Sequence, residues 1–390
     1  MGNIPEFWYC SYERTREQCI EAARHAKMVL VNRDDFNDDM RLVNPDVIIV
    51  MYVNAAHIYN NFTSYQQWLD NGWVLKDDSG NPIIHKAHPN ETAVDLRVPE
   101  ARLAMAERMA RLSENCDGVF GDYLGKPYGY NKYHYDSWPS GYSDELMTQN
   151  QVALIEEVMV FGVSLIGGNA VTQADGEYGW YNLESLALFG TSLLDFQWIE
   201  GAYGWSLEEA KQRGSGAFDQ NVKLMNTLDN AVLYVKPMGA SSPVDLSRGV
   251  SNWGSGALFG YCCNALSGFD GRMYHYGGYG GMSDPVTRQL LAFDIGFPTG
   301  PPTRNGSWVF REYQYACVGA ETSTARGYLQ VKAGPDPIPD PDPVPDPDPV
   351  PDPVPDPGEP DGLADAIRLF RNNALFIGAL LVAKETLEKE

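Results

Sequence analysis

Apolar and polar positions along the first 330 or so residues alternate between two patterns. Short β-branched or apolar runs are separated by longer stretches with helical spacing, which is how parallel strands joined by crossover helices read. Eight runs qualify as strands: MVLVN (28–32), DVIIVMYVN (46–54), DGVFGDYL (117–124), GVSLIGGNA (162–170), SLLDFQWIEG (192–201), AVLYVKPMG (231–239), ALFGYCCNA (257–265) and AFDIGF (292–297). PEARLAMAERMARLSEN and SDELMTQNQVALIEEVMVFG read as helices between them. The pattern predicts an α/β fold, a (β/α)8 TIM barrel over residues 1–333.

At Gly334 the pattern stops. The sequence PDPIPDPDPVPDPDPVPDPVPDPGEPDG defines a linker, residues 334–361, because recurrent proline forbids both helix and sheet ladders. In polyproline II at ~3.1 Å per residue, Pro335 to Pro357 reaches roughly 70 Å, and aspartate repulsion stiffens it. Residues 362–390 then read as one C-terminal helix for anchoring or oligomerisation. Its longest apolar run, Ala374 to Ala383, is half the ~20 residues needed to span a bilayer. Leu369, Phe370, Leu375, Phe376, Leu380 and Leu381 recur near helical spacing, which predicts self-association or docking, with interfacial membrane contact as the second reading.

Charge narrows the partners. The formal net charge is -23, and although nine acidic residues lie from Asp336 to Asp361 the remainder is also acidic. Such a surface repels phosphate backbones, so nucleic acid is excluded as a partner and a neutral or cationic glycan is accommodated. Aromatic residues make up 12% of the chain, including nine tryptophans, which serve either barrel packing or stacking on sugar rings. The start MGNIPEFWYC has no charged segment followed by a long apolar run, so no signal peptide is visible. Of six cysteines none has CxxC or histidine ligand spacing, so no metal is expected. Most read as buried small hydrophobes, and a Cys10–Cys19 bridge stays open. No phosphate loop, GxSxG elbow, HExxH or dinucleotide fingerprint occurs, and no cofactor is implied.

In a barrel the working residues lie at the C-terminal ends of strands. That rule selects Asp122, Asn169, Glu200 and the Asp34-Asp35 pair. Glycosidic cleavage needs one carboxyl to protonate the leaving oxygen and another to attack or to activate water. Glu200, after Phe196, Gln197, Trp198 and Ile199, is assigned as general acid, and Asp122 as nucleophile or base; the roles can be exchanged, and either carboxylate could instead cap the next helix. Asp175 and Glu177, in a glycine-containing loop, are second-rank, since an aspartate before Gly176 is also ordinary turn chemistry. Asp34 and Asp35 read equally as sugar ligands or helix caps. The loop 123–142 with Tyr123 and Trp138 is too polar for core and reads as a sugar-binding surface, as does MYHYGGYGG (273–281) with Tyr276; Trp198 and Tyr203 flank Glu200. Residues 71–109 form a long connection that shapes a cleft, in which Asp95 starts or caps a helix with Pro99 in its first turn, and His85 and His88 read as surface histidines.

VLVN, NGWVLKDDSGNPI, DLRVPEARLAMAERM, CDGVFGDYL, the strand ending in Glu200, and DIGFPTG followed by FREYQYACVGAE occur in an order that resembles glycoside-hydrolase-like barrel families related to endo-galactosaminidase-type enzymes. The resemblance spans about residues 25–330 and implies catalytic roles for Asp122 and Glu200. It departs at Gly121-Asp122, where a more acidic pair is common, and in the Pro-Asp rod. The expectation is a glycosidase acting on a polysaccharide or exopolysaccharide, extracellular or virion-associated. The alternative is a non-catalytic carbohydrate- or receptor-binding protein of a virion tail or surface fibre on the same scaffold.

Overall fold

Strand β1 (Phe7–Ser11) pairs in parallel with β2 (Met28–Val31) on one side and with β10 (Tyr274–Tyr276) on the other, so the main sheet closes on itself. Between these limits β2 leads through β3 (Ile48–Asn54), β6 (Gly118–Asp122), β7 (Ile166–Asn169), β8 (Phe196–Ile199) and β9 (Ala231–Val235) to β10, every pair parallel. The computed structural model describes residues 7–11, 15–124, 135–169, 194–199, 219, 231–235, 256–267, 274–276, 290, 295–321 and 323–332. The chain divides into two units, Met1–Gly334 and Pro335–Glu390, and the second, for which a Pro-Asp linker and a C-terminal helix are expected from the sequence, lies outside the described residues.

The helices follow from local signals. Thr15 caps α1 (Arg16–His25) in a reciprocal box with Gln18. After α2 (Asn37–Val43) and the short α3 (Tyr65–Asp70), α4 (Pro99–Leu112) starts with proline in its first turn, where no amide hydrogen is needed. Its buried Ala101, Met105, Ala106 and Met109 share one face, which packs on the barrel core. Ser143 Oγ accepts from Leu146 N at 3.2 Å to open α5 (Asp144–Val160), and Arg102 of α4 clasps Glu157 of α5 at 2.8 Å.

Period-two alternation sorts the strands. Val29, Val31, Ile49, Met51, Val53, Val119 and Ile166 join the helix-facing core, while Met28, Leu30, Val50, Phe120 and Phe196 form a separate cluster. The second cluster fills the barrel lumen, with the Phe120 and Phe196 rings stacked at 6.1 Å and Tyr52 stacked on Phe120 at 5.9 Å. The lumen is therefore packed core rather than a pore, and each phenylalanine truncated there costs roughly 3–5 kcal/mol. At the N-terminal ends of strands, Asp117 accepts from Ile49 N and Asp195 from Ile166 N, both at 2.7 Å, so these carboxylates tie neighbouring strands.

Two of the eight strand windows are corrected. Residues 257–265 lie in a helix, α6 (Gly256–Ser267), and residues 295–297 form no strand. The barrel's other two strands are β1, ahead of all the windows, and β10, inside the MYHYGGYGG cluster. The physical reason lies in burial on both sides. Helix α6 contacts β9 and β10 of the barrel and also β13 and β14 of a second sheet. This sheet is antiparallel, with β11 (Thr303–Asn305), β12 (Trp308–Glu312), β13 (Ala316–Glu321) and β14 (Arg326–Val331) in sequential order. A helix buried all round carries no polar stripe, and a short apolar run then looks like a strand. Gly327 of β14 permits the contact, since a Cβ there would sit 2.7 Å from the Leu258 carbonyl. Cys19, Cys262 and Cys263 are buried in this core.

Candidate functional site

The β3-to-β6 connection builds one wall of a cleft at the C-terminal mouth of the barrel. It carries an antiparallel ribbon of β4 (His57–Tyr59) and β5 (Glu91–Ala93), then α4. With the ends of β3 and β6 and the turn after β2, it encloses a cleft of about 1400 Å3. Asp34, Tyr52, Asn54, Tyr59, Glu91, Arg108 and Asp122 are among its lining residues.

Asp122 closes β6 on the lumen face, in line with Phe120, opposite Asn54 in the register with β3. Its carboxylate accepts three hydrogen bonds: from the Tyr52 hydroxyl at 2.5 Å, from the backbone N–H of Tyr123 at 2.8 Å and from Asn169 Nδ2 at 2.9 Å. The donors arrive from β3, β7 and the β6 terminus itself, so the group is held in one orientation. Tyr123 pays for that turn with a left-handed backbone, φ 69°, and Gln151 Nε2 of α5 braces its carbonyl at 3.1 Å.

Behind Asp122 lies a buried polar network. Asn54 Oδ1 accepts from the backbone of Ala56 and His57 and from His57 Nδ1, the last at 3.1 Å. His57, fully buried, meets the Tyr135 hydroxyl through Nε2 at 2.6 Å. Asn54 Nδ2 reaches Glu91 Oε2 at 3.4 Å. Burial, with the Asp122 charge adding and His88 opposing, raises the Glu91 carboxyl above the usual carboxylate range. Burial likewise pushes the Tyr59 phenol up. Arg108 of α4 donates to the Asn54 carbonyl at 3.3 Å and lies over the Phe62 ring.

The residues selected from the sequence fall in different places. Asp122, Tyr123 and Asn169 come together through the bonds above. Asp34 lines the cleft and accepts from Asn115 at 2.7 Å, whereas Asp35 pairs with Arg33. Neither caps α2, whose N-cap is Phe36 without a side-chain bond. Asp95 does not cap α4 either: it grips Arg97 through both oxygens at 2.8 Å, and Arg97 lies over the Tyr142 ring at 4.8 Å. His85 is buried rather than on the surface, its Nδ1 accepting from the backbone of Ala87 and His88. No group of potential metal ligands occurs among the described residues.

The loop around Trp138 is also core where it is described. Tyr123, Tyr135 and Tyr142 are buried in one cluster with Leu75, Ile83 and Met147, and half-buried Trp138 stacks on Tyr142 at 5.5 Å. Its polarity is absorbed by internal bonds, such as Trp138 Nε1 to the Tyr142 carbonyl at 2.8 Å, which composition does not reveal. Glu200, Asp175, Glu177 and Tyr203 lie outside the described residues, as do the side chains of Trp198 and Tyr276, whose backbones belong to β8 and β10. The site also contains groups that the sequence reading passed over. Tyr52 and Asn54 were accessible by period two from Val50; Glu91 and His57 carry no such signal.

Fold and site thus define an α/β protein with a parallel sheet whose strand ends carry an acid- and amide-lined cleft. No protein-family model and no curated protein matches the chain. Among solved structures it is similar to the GH36 alpha-galactosidase AgaA from Geobacillus stearothermophilus, at 12% identity and TM-score 0.46, over 86% of this chain and 49% of that one. It is also similar to a GH31 family sulfoquinovosidase from E. rectale, at 8% identity and TM-score 0.49, over 85% and 62%. A third is the glycoside hydrolase domain of PelA from Pseudomonas aeruginosa, at 11% identity and TM-score 0.43, over 72% and 95%. The chain spans about half the length of the alpha-galactosidase.

Proposed function

We propose that this chain is a glycoside hydrolase that cleaves a polysaccharide or exopolysaccharide by a two-carboxylate mechanism on a (β/α)8 barrel. Asp122 acts as nucleophile or base and Glu200 as general acid. The observation that carries this reading is Asp122 itself, a carboxylate oriented by three hydrogen bonds at a strand end beside a large cleft. Pockets for single small molecules run to roughly 1,000 Å3, so a cleft of about 1400 Å3 suits several sugar rings. Asp34 and Tyr123 in its wall, with Asn169 on Asp122, are the described groups assigned to substrate.

In the sequence Glu200 directly follows Ile199, the last residue of β8, and β8 stands two places from β6 with β7 between. At about 4.8 Å per strand, the ends of β6 and β8 are separated by roughly 10 Å, the scale on which carboxyls 5–9.5 Å apart can flank a glycosidic bond. One carboxyl protonates the leaving oxygen while the other attacks the anomeric carbon or takes a proton from water, and no cofactor is required. The test is reducing-sugar release from a panel of bacterial and algal polysaccharides by the full chain and by Glu200→Gln. Release by the wild type and loss of about a hundredfold or more in the variant are expected. Glycan binding without release by the wild type would replace the hydrolase with a carbohydrate-binding adhesin.

The Pro-Asp stretch and terminal segment are proposed to present this enzyme at a distance from a particle or cell surface and to assemble it. Deleting residues 362–390 is then expected to lower the mass measured by light scattering; an unchanged mass would discard the assembly role.

A further inference from the structure

Glu91 is one of three carboxyls that line the described cleft, with Asp34 and Asp122, and it comes from the β4–β5 ribbon rather than from a barrel strand. Its side chain is only 10% exposed. Oε2 faces Asn54 Nδ2 at 3.4 Å and His57 Nδ1 at 3.6 Å, but the Nδ1 hydrogen is directed to Asn54 Oδ1 at 3.1 Å. The other charged or titratable groups around Glu91 are the Tyr59 hydroxyl from β4, His88 from the turn before β5, and Asp122 from β6. Arg108 of α4 directs a guanidinium N–H to the Asn54 carbonyl. No ion pair of Glu91 with a lysine or arginine occurs among the described residues.

We propose that Glu91 is a specificity-determining residue, acting in its neutral form as a hydrogen-bond donor to a sugar oxygen held beside the Asp122 carboxylate. This rests on the hydrolase reading above. A carboxylate can only accept hydrogen bonds, whereas a neutral carboxyl donates one. With Glu91 protonated and Asp122 ionised, the two carboxyls offer a donor and an acceptor within one cleft, which complements the ring and hydroxyl oxygens of a saccharide. With both ionised the two carboxyls would offer acceptors alone, and two like charges would share a half-buried site. Burial, the largest influence, and the Asp122 charge favour the proton on Glu91, while His88 and the hydrogen bonds from Asn54 and Tyr59 oppose it, and the net direction is upward.

The test compares the wild-type chain with Glu91→Gln and Glu91→Ala on the polysaccharide that the wild type hydrolyses, from about pH 5 to 9. Alanine, which removes the donor, is expected to lower kcat/KM by about 10- to 100-fold, chiefly through KM. Glutamine restores a donor and is expected to recover most of that loss, while removing one ionisation from the alkaline limb. Equal losses in both variants would overturn the proposal. Independently, the Glu91 carboxyl carbon, followed by 13C NMR without substrate, should titrate above the ordinary glutamate value of about 4.3 and move down in Asp122→Asn. An ordinary value in the wild type would overturn the proposal too. If the wild type hydrolyses nothing on the panel, the hydrolase reading falls, and the carboxyl titration still decides whether Glu91 holds the proton beside Asp122.

Discussion

If the proposed hydrolase activity holds, Asp122→Asn is expected to lower polysaccharide hydrolysis by roughly a thousandfold or more while the chain stays folded. The substitution is nearly isosteric, and each contact has a counterpart. Asparagine Oδ1 still accepts from Tyr123 N–H and from Asn169 Nδ2, and its amide can donate to the Tyr52 hydroxyl, which then acts as acceptor. What disappears is the negative charge, and with it the capacity to attack an anomeric carbon or to take a proton from water. Initial rates of reducing-sugar release, together with thermal unfolding, check the outcome. Activity within a few-fold of the wild type would remove Asp122 from the chemistry. Asp122→Ala makes a harsher comparison, because it leaves two side-chain donors facing a half-buried gap and costs about 1–3 kcal/mol of stability as well.

Gly118→Ala produces the largest expected effect on folding. Gly118 opens β6, the strand that ends in Asp122, and a Cβ there would lie 2.3 Å from the backbone oxygen of Leu165. That oxygen accepts the Val119 N–H at 2.9 Å, so it cannot retreat without opening the ladder between β6 and β7. A clash with a flexible side chain is relieved by a rotamer change, but one with paired backbone is not. A loss of about 3 kcal/mol or more is expected, a fall in Tm of roughly 6 °C or more. Gly141→Ala is the control, as nothing lies within 4 Å of its added Cβ. Equal melting temperatures for the two variants would contradict this packing. Because the shift would propagate along β6, Gly118→Ala should also reduce activity.

Much of the barrel was legible because its strands are short, apolar and bounded by turn residues. MVLV, IIVMYVN and GVFGD carry apolar residues on both faces, since one face meets helices and the other fills the lumen. Helices α4 and α5 were legible from Pro99, Ser143 and their apolar spacing. The two strands that close the barrel were not. β10 is three residues among glycines and tyrosines, too short for any period, and β1 lies next to it only because the sheet curves round. Helix α6 was misread for the opposite reason, since burial between two sheets erased its polar face.

The site divides in the same way. That Asp122 ends a strand follows from a local pattern of five residues, and the strand-end rule then selects it. That Tyr52 and Asn169 converge on it depends on the register of β3, β6 and β7, which no local pattern encodes. Glu91 lies 31 positions earlier in a connection with no regular period, and it reaches the cleft because the β4–β5 ribbon folds back over the barrel mouth.

By itself, then, the sequence determined the alternation of strands and helices, the acidic character of the chain, the change of composition at Gly334 and the strand-end position of Asp122. These are properties of neighbouring residues, set by periodicity, turn chemistry and charge. Only the tertiary structure decided which strands close the sheet, that tyrosines in a polar-looking loop are core, and that Glu91 shares the cleft with Asp122. Those depend on contacts between residues distant in the chain, where burial and hydrogen bonding override what each segment would do alone.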